Sequence, residues 1–321
     1  MKKLISWVAV CCLLVAGMAD AVAACCLIPA RITDEKAAAV TTDRQGTPIT
    51  LPETIKRIIA FGPSNVEILV ALGAGKKLVA ADTYSAQVEG IPENLPLLDM
   101  LAPDAEQILA LQPDVLLVSG MSQVGGEDPY KPVKDAGVCV IYIPTSNSIQ
   151  GIKEDIRFIA AVLGTVWKGD EVVRGMEAEI AAVRAVGDTV TQKKSVYFEI
   201  SAAPYLYSFG SGVFLHEMIE LIGAVNVLAD HNSWISVTDE TLLAANPDVI
   251  LTCVNYIDNP TEEIKARPSW DAMNAVKNDQ VYSIDTDASN RPSQNIVKAL
   301  WEMALAVYPE LYGQAGLPKE R

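Results

Sequence analysis

The sequence predicts an α/β protein of two similar lobes, each on a parallel sheet, joined by a long helix and facing one another across a cleft. Three observations predict it. The stretch Glu106-Gln-Ile-Leu-Ala-Leu-Gln-Pro-Asp-Val-Leu-Leu recurs as Glu240-Thr-Leu-Leu-Ala-Ala-Asn-Pro-Asp-Val-Ile-Leu, with Glu, Leu, Ala, Pro, Asp, Val and the final Leu in register. Around both copies, Val/Ile/Leu runs alternate with helical stretches, the pattern of a parallel sheet covered on both faces. Between the copies, residues 149–187 keep helical periodicity almost without a break.

The elements follow in chain order. Lys2 and Lys3 precede an apolar run from Leu4 to Met18, and the small residues Ala21-Val22-Ala23-Ala24 come next. A charged start, a short apolar stretch and a small-residue cleavage site describe an export signal over residues 1–24. The apolar run falls short of the about 20 residues that a spanning helix needs. Processing has two main readings. Cleavage after Ala23 releases a soluble protein; alternatively Val22-Ala23-Ala24-Cys25 is a lipobox, and lipid on Cys25 holds the protein at the membrane face. An uncleaved anchor is the remaining alternative. The first two put the protein in a periplasmic or other extracytoplasmic location.

Half of the 321 residues are hydrophobic and 20% are charged, which suits one large domain or two lobes of roughly 100–150 residues. A net charge of -15 without any Lys/Arg run argues against a nucleic-acid partner. A polar, Ala/Thr-rich tether over residues 25–52 leads into an N-terminal lobe, 53–148. There Arg57-Ile-Ile-Ala-Phe reads as a strand, Gly62-Pro-Ser-Asn as a turn, and the next residues as a helix stopped at Gly73. The Glu106 repeat unit is a short helix, a Pro-Asp turn and a buried strand. Val138–Ile143 closes the lobe.

Residues 149–190 form a helical linker, with Ile152, Ile156, Ile159, Ala160 and Leu163 on one face and, after Gly164, Val172, Met176, Ile180 and Val183. The C-terminal lobe, 191–321, repeats the plan: strand Val196-Tyr-Phe-Glu-Ile, a long loop through Gly212, a helix ending at Gly223, the Glu240 unit, and a closing strand over 280–284. In open parallel sheets ligands bind outside the carboxyl ends of the strands. That rule selects loops 62–65, 82–86, 119–127, 201–212, 253–259 and 285–291.

Of the six cysteines, Cys139 and Cys253 remain in the body of the chain, inside apolar runs, and are expected as buried free thiols. The two histidines, His216 and His231, are too few for a bare zinc or manganese site, so no direct metal ligation is expected. Gly73-Ala-Gly-Lys-Lys lacks the preceding strand and following hydroxyl of a phosphate loop. Gly210-Ser-Gly lacks the spacing of a nucleophile elbow. No catalytic residue is assigned.

Taken together, Arg57-Ile-Ile-Ala-Phe-Gly-Pro-Ser-Asn-Val-Glu, the duplicated Glu…Pro-Asp-Val units, Phe209-Gly-Ser-Gly, Arg267-Pro-Ser-Trp-Asp-Ala and Arg291-Pro-Ser carry a likeness over residues 45–310. The chain resembles the extracytoplasmic substrate-binding proteins of ABC importers for iron–siderophore complexes, haem and vitamin B12. The resemblance implies two Rossmann-like lobes, a rigid connecting helix, small lobe movement, and no enzymatic activity or cofactor. It implies two partners: a metal chelate (corrinoid, ferric siderophore or haem) and a permease dimer with its ATPase subunits. It also implies that Glu106 and Glu240, one per lobe, dock on permease arginines. Acids in a helix's first turn are favoured by the dipole in any protein; the symmetric placement favours docking.

Candidate ligand contacts are Pro63, Ser64, Tyr84, Tyr205, Tyr207, Phe209, Tyr256 and Arg291 on the selected loops, with Met100 and Trp234 outside them. The vitamin B12-binding branch implies pocket roles for Tyr84 and for Trp234, which precedes Glu240 at the spacing of that branch. Met100 stands where that branch has a tryptophan, and Asp285-Thr-Asp-Ala-Ser-Asn-Arg291 replaces another. Arg291 either grips a carboxylate or catecholate oxygen by paired hydrogen bonds, or caps the sheet edge, or pairs with Asp285 or Asp287. A cofactor-assembly enzyme is the competing reading; it needs a cleft His or Cys, and Cys253 is its candidate. A sensing or adhesion module without an importer is the third.

Overall fold

The computed structural model describes residues 40–120 and 128–315. The export signal over 1–24, Cys25 and most of loop 119–127 lie outside the described residues. The N-terminal lobe runs β1 (Ile58–Ala60), α1 (Pro63–Ala71), β2 (Leu78–Asp82), β3 (Leu97–Leu98), α2 (Ala105–Ala110), β4 (Val115–Ser119), α3 (Lys131–Asp135) and β5 (Cys139–Ile143). Its sheet has the order β3-β2-β1-β4-β5, and every pair is parallel. Helices α4 (Ile149–Val162) and α5 (Val166–Gly187) follow.

The C-terminal lobe contains β6 (Ser195–Glu199), β7 (Tyr207–Phe209), α6 (Phe214–Leu221), β8 (Val225–Asn226), β9 (Trp234–Ser236), α7 (Asp239–Ala245), β10 (Val249–Thr252), α8 (Pro260–Lys265), α9 (Asn274–Lys277), β11 (Val281–Ser283), α10 (Thr286–Asn290), α11 (Ile296–Val307) and α12 (Pro309–Ala315). Its parallel sheet, β11-β10-β6-β8, superposes in order on β5-β4-β1-β2. The internal repeat is therefore a repeat of topology: α2–β4 and α7–β10 are the same unit in two sheets.

The Pro-Asp of each unit has a defined job. Asp114 accepts main-chain N–H groups of Lys56 and Arg57 at 2.6 and 2.8 Å, pinning the entry of β1 beside β4. Asp248 accepts the main-chain N–H and hydroxyl of Ser195 at 2.9 and 2.8 Å, pinning β6 beside β10. The Lys56 N–H, foremost, holds the Asp114 carboxyl below its ordinary value of 3.8. At Asp248 burial pushes upward, but the donors of Ser195 and Asn274 and the charge of Lys194 together outweigh it, and the net shift is downward. A depressed folded-state pKa adds stability above the ordinary aspartate value, and that stability is lost as pH falls through the folded value. Asp114→Ala and Asp248→Ala should each cost about 1–2 kcal/mol in urea melts at pH 7, and less below pH about 3. Equal costs at both pH values would refute the pinning role.

Alternating strand residues face two layers. Ile58, Ala60, Leu117, Val196 and Phe198 join one apolar cluster that also takes in Ile152, Ile159, Val173, Val183, Leu215 and Met303. That cluster runs unbroken from one lobe through α4 and α5 into the other. Ile59, Phe61, Val118 and Tyr130 form an outer layer on the first sheet, and Tyr197, Ile250, Trp270 and Met273 on the second. Helix α5, 22 residues and about 33 Å long, is the spine. Near its start Lys168 donates to the Leu72 carbonyl of the N-terminal lobe at 3.1 Å. Farther along, Glu179 accepts from Trp301 at 2.9 Å and the Val183 carbonyl from Tyr312 at 3.1 Å, both in the C-terminal lobe.

Two expectations are corrected. Residues 40–52 of the presumed tether are docked: Thr42 bridges Pro48, the Arg44 N–H donates to the Tyr142 carbonyl at 3.1 Å, and the Arg44 guanidinium meets Asp155 at 2.7 Å. An Ala/Thr-rich composition hid one buried aspartate, Asp43, which folds the segment back on itself. The stretch 201–212, expected as a loop, contains β7, which pairs antiparallel with β9 because the two segments bring their aromatics into register, Phe209 opposite Trp234.

Candidate ligand-binding cleft

The N-terminal wall is built on the turn after β1. Gly62 takes φ +95, and a Cβ there would come within 2.8 Å of the Ser119 side chain, so only glycine lets the chain turn this close to β4. Pro63 then opens α1 and, with Ser64, stands partly exposed at its start. Asp82, fully buried at the end of β2, accepts the Gly62 N–H and the Tyr84 N–H, both at 2.9 Å, and the Ser85 hydroxyl at 2.6 Å. One carboxylate thus fixes two loops and leaves the Tyr84 ring exposed.

The C-terminal wall is aromatic. The Tyr256 hydroxyl, after β10, accepts the Ala202 N–H at 2.9 Å and lies 3.2 Å from the Ser201 hydroxyl, after β6. Its ring is 65% exposed and Tyr205 is 84% exposed; Tyr207 is exposed beside them. Among the described residues, the exposed tyrosines are Tyr84 after β2, Tyr205 after β6, Tyr207 at the start of β7 and Tyr256 after β10. Trp234 is half-buried and meets the edge of Phe209, ring centroids 5.8 Å apart; Phe209 in turn packs on Phe198 at 5.6 Å. Gly210 permits this: a Cβ there would fall 2.1 Å from the His231 carbonyl oxygen.

The floor joins the lobes. Arg291, after α10, pairs with Glu67 of α1 at 2.9 Å and with Asp287 at 2.8 Å, and donates to the Tyr84 carbonyl at 3.4 Å. These bonds prove that the loop after β11 meets the loops after β1 and β2. Two carboxylates already neutralise the Arg291 guanidinium, so it closes the floor rather than offering a free cation. The pairing with Asp287 is among the alternatives its sequence position allowed.

Two further expectations are corrected by burial. Met100 is 1% exposed in the outer layer of the first sheet, and Phe209 is 0% exposed in the shared core. Neither presents a surface to a ligand. Phe209 acts from behind, holding Trp234. The residues that sequence reasoning missed are Asp82 and Glu67; a buried acid at a strand end or inside an apolar helix is the signal that marks them.

Cys139 and Cys253 are free thiols, but against expectation Cys253 alone is buried and Cys139 is half-buried; burial pushes the Cys253 thiol up to about 11, which keeps it protonated and a poor nucleophile. His216 sits against Glu220 and Asn226 on α6 and β8, and His231 is exposed. Glu106 and Glu240 are exposed in the first turns of α2 and α7, at matching places in the two lobes.

A family model described as periplasmic binding protein matches residues 58–288. The chain is 30% identical over 275 residues to YvrC, an uncharacterised ABC transporter substrate-binding lipoprotein of Bacillus subtilis strain 168, covering 84% of this chain and 85% of that one. It is 25% identical over 252 residues to the vitamin B12-binding protein of Vibrio parahaemolyticus, covering 78% and 89%. Among solved structures, a possible iron-binding periplasmic solute-binding protein of Staphylococcus epidermidis matches with a TM-score of 0.72 and 26% identity, over 80% of this chain and all of that one.

Proposed function

This chain belongs to the periplasmic binding protein family and is the substrate-binding component of an ABC importer; from that premise we propose that its substrate is a metal chelate of the corrinoid type. The observation that carries the proposal is the composition of the cleft. Four tyrosines are exposed on the segments that follow β2, β6 and β10, Trp234 is half-buried beside Phe209, and the arginine that joins the lobes is already paired with Glu67 and Asp287. Flat aromatic walls with few charges suit a bulky macrocycle of low net charge. A ferric catecholate is strongly anionic and needs unpaired cations to offset its desolvation. Likeness to the vitamin B12-binding protein of Vibrio parahaemolyticus supports the same choice. The protein works outside the cytoplasm, with a permease and its ATPase subunits as partners, and lipid on Cys25 would tether it to the membrane face.

The test is tryptophan fluorescence of the purified protein against cobalamin, a ferric catecholate, a ferric hydroxamate and haem. Cobalamin should quench at 1:1, and Trp234→Ala should weaken that binding by about tenfold or more, the usual loss when an aromatic anchor is truncated. Saturation by the catecholate or hydroxamate instead would move the substrate to a ferric siderophore. Silence towards all four compounds would defeat the chelate reading.

A further inference from the structure

Glu67 lies in α1 of the N-terminal lobe, 6% exposed, and among the described residues the partners of its carboxylate all come from the other lobe. Arg291 donates to one oxygen at 2.9 Å. Ser293 and Asn295 donate to the other at 2.5 and 2.9 Å, and the Gln294 side chain reaches the Glu67 main-chain oxygen at 3.3 Å. We propose that Glu67 is a positioning residue, a pin that sets the angle between the lobes and hence both the width of the cleft and the separation of Glu106 from Glu240.

The chemistry of the contact supports this. Arg291 can only donate, and Ser293 and Asn295 are turned to donate as well, because the Ser293 hydroxyl accepts the Asn295 N–H and the Asn295 Oδ1 accepts from Gln294. Glutamine puts an NH2 against a donor, and aspartate falls short by one methylene. The donors are themselves held: Arg291 by Asp287 and the Tyr84 carbonyl, and Asn295 by its place at the start of α11, where a carboxylate is also favoured by the helix dipole. Pro292, between Arg291 and Ser293, restricts the backbone that presents them.

Position in the fold gives the contact its leverage. The shared apolar cluster and α5 already join the lobes along the spine. A further polar tie, the Ile149 N–H to Glu217, also lies beside α5, in the groove that Glu177 and Ile180 line. Joints confined to the spine leave the lobes free to open about it. The Glu67 cluster is a second attachment at the cleft floor, and two separated attachments define an angle. The two sequence motifs that meet here, Pro-Ser-Asn-Val-Glu67 and Arg291-Pro-Ser-Gln-Asn295, face each other across the chain's full fold.

The consequence for transport rests on the receptor reading above, but the pin itself does not. The test places nitroxides on a ketone-bearing amino acid at Ala110 and Ala244, exposed and equivalent on α2 and α7, and measures their separation by pulsed electron resonance without ligand. The wild-type distribution should be single and narrow. Glu67→Gln should broaden it about twofold or more and weaken cobalamin binding about tenfold, since only part of the population then presents a closed-up cleft. Ser293→Ala and Asn295→Ala each remove one donor and should give intermediate widths, so the proposal stays testable where Glu67→Gln does not fold. Unchanged distributions in the variants that fold, whatever happens to their melting points, would reduce Glu67 to a stabilising contact and overturn the proposal. Broadened distributions in a protein that takes no chelate would leave the pin standing and remove the receptor's proposed substrate instead.

Discussion

Replacing Glu106 and Glu240 together by alanine is expected to stop uptake in cells while purified protein binds its ligand with unchanged affinity. Both acids are exposed in the first turn of a short helix, capped by Asp104 in one lobe and by Thr238 in the other. The Asp104 carboxylate accepts the Glu106 N–H at 2.9 Å, and the Thr238 hydroxyl accepts the Thr241 N–H at 3.3 Å, so both helices keep their caps after substitution. The Glu240 carboxyl is held below its ordinary range by its own N–H and by the Thr238 hydroxyl, so it is anionic at any physiological pH.

Both side chains are exposed and neither takes part in the Glu67–Arg291 contacts that join the lobes, so ligand affinity should survive. Two equivalent acids on two equivalent lobes match a partner that is itself two-fold, and charges at such a rim act on orientation and association rate. Single substitutions should slow uptake about tenfold, and the double about a hundredfold or more, within the range of electrostatic steering. Uptake that survives the double substitution would mean that these helices do not dock.

Arg267→Met is expected to be the most damaging single change to stability. Arg267 is buried and forks onto Glu199, Nη1 to one oxygen at 2.5 Å and Nη2 to the other at 3.1 Å, while Glu263 accepts from its Nε and Nη2. Its guanidinium carbon stands 4.5 Å from the centre of the Trp270 ring. Glu199 is fully buried at the end of β6, and burial pushes its carboxyl upward while the Arg267 fork pulls it back. Removing the arginine strands that carboxylate, which costs about 3–5 kcal/mol.

In a protein of this size such a loss lowers the melting point by roughly 10 °C. Adding Glu199→Met should recover most of it, because a buried ion pair is often no better than a packed apolar pair. A single substitution that melts like the wild type would show that the pair carries little. The damage should also reach α7: Trp270 donates its indole N–H to Asp239 at 3.0 Å, next to Glu240. Within the motif Arg267-Pro-Ser-Trp-Asp-Ala, the two buried residues, Arg267 and Trp270, thus brace that helix.

How much of this was legible varied by residue. The duplicated Glu…Pro-Asp-Val units announced two matching sheets, and the strands, the turns at Gly62 and the helix stops at Gly73 and Gly223 followed from local patterns. Tyr84, Tyr205, Tyr207 and Tyr256 were legible as cleft candidates because bulky rings on loops beyond parallel strands have few other places to go. Phe209 and Met100 were not distinguishable from them by sequence. A loop aromatic reads the same whether its ring points outward or closes a hairpin, and only the pairing of β7 with β9 decides it.

The sequence alone determined what local chemistry controls: strand and helix alternation, the two-fold repeat, the helical spine and the matched placement of Glu106 and Glu240. Tertiary structure decided which distant groups meet. Glu67 and Arg291 are far apart along the chain, and Asp82, Glu199 and Arg267 acquire their roles from partners that no spacing rule connects. Hydrogen bonds and ion pairs at buried sites depend on three-dimensional approach within about 3 Å, whereas hydrophobic periodicity is written into each segment by itself.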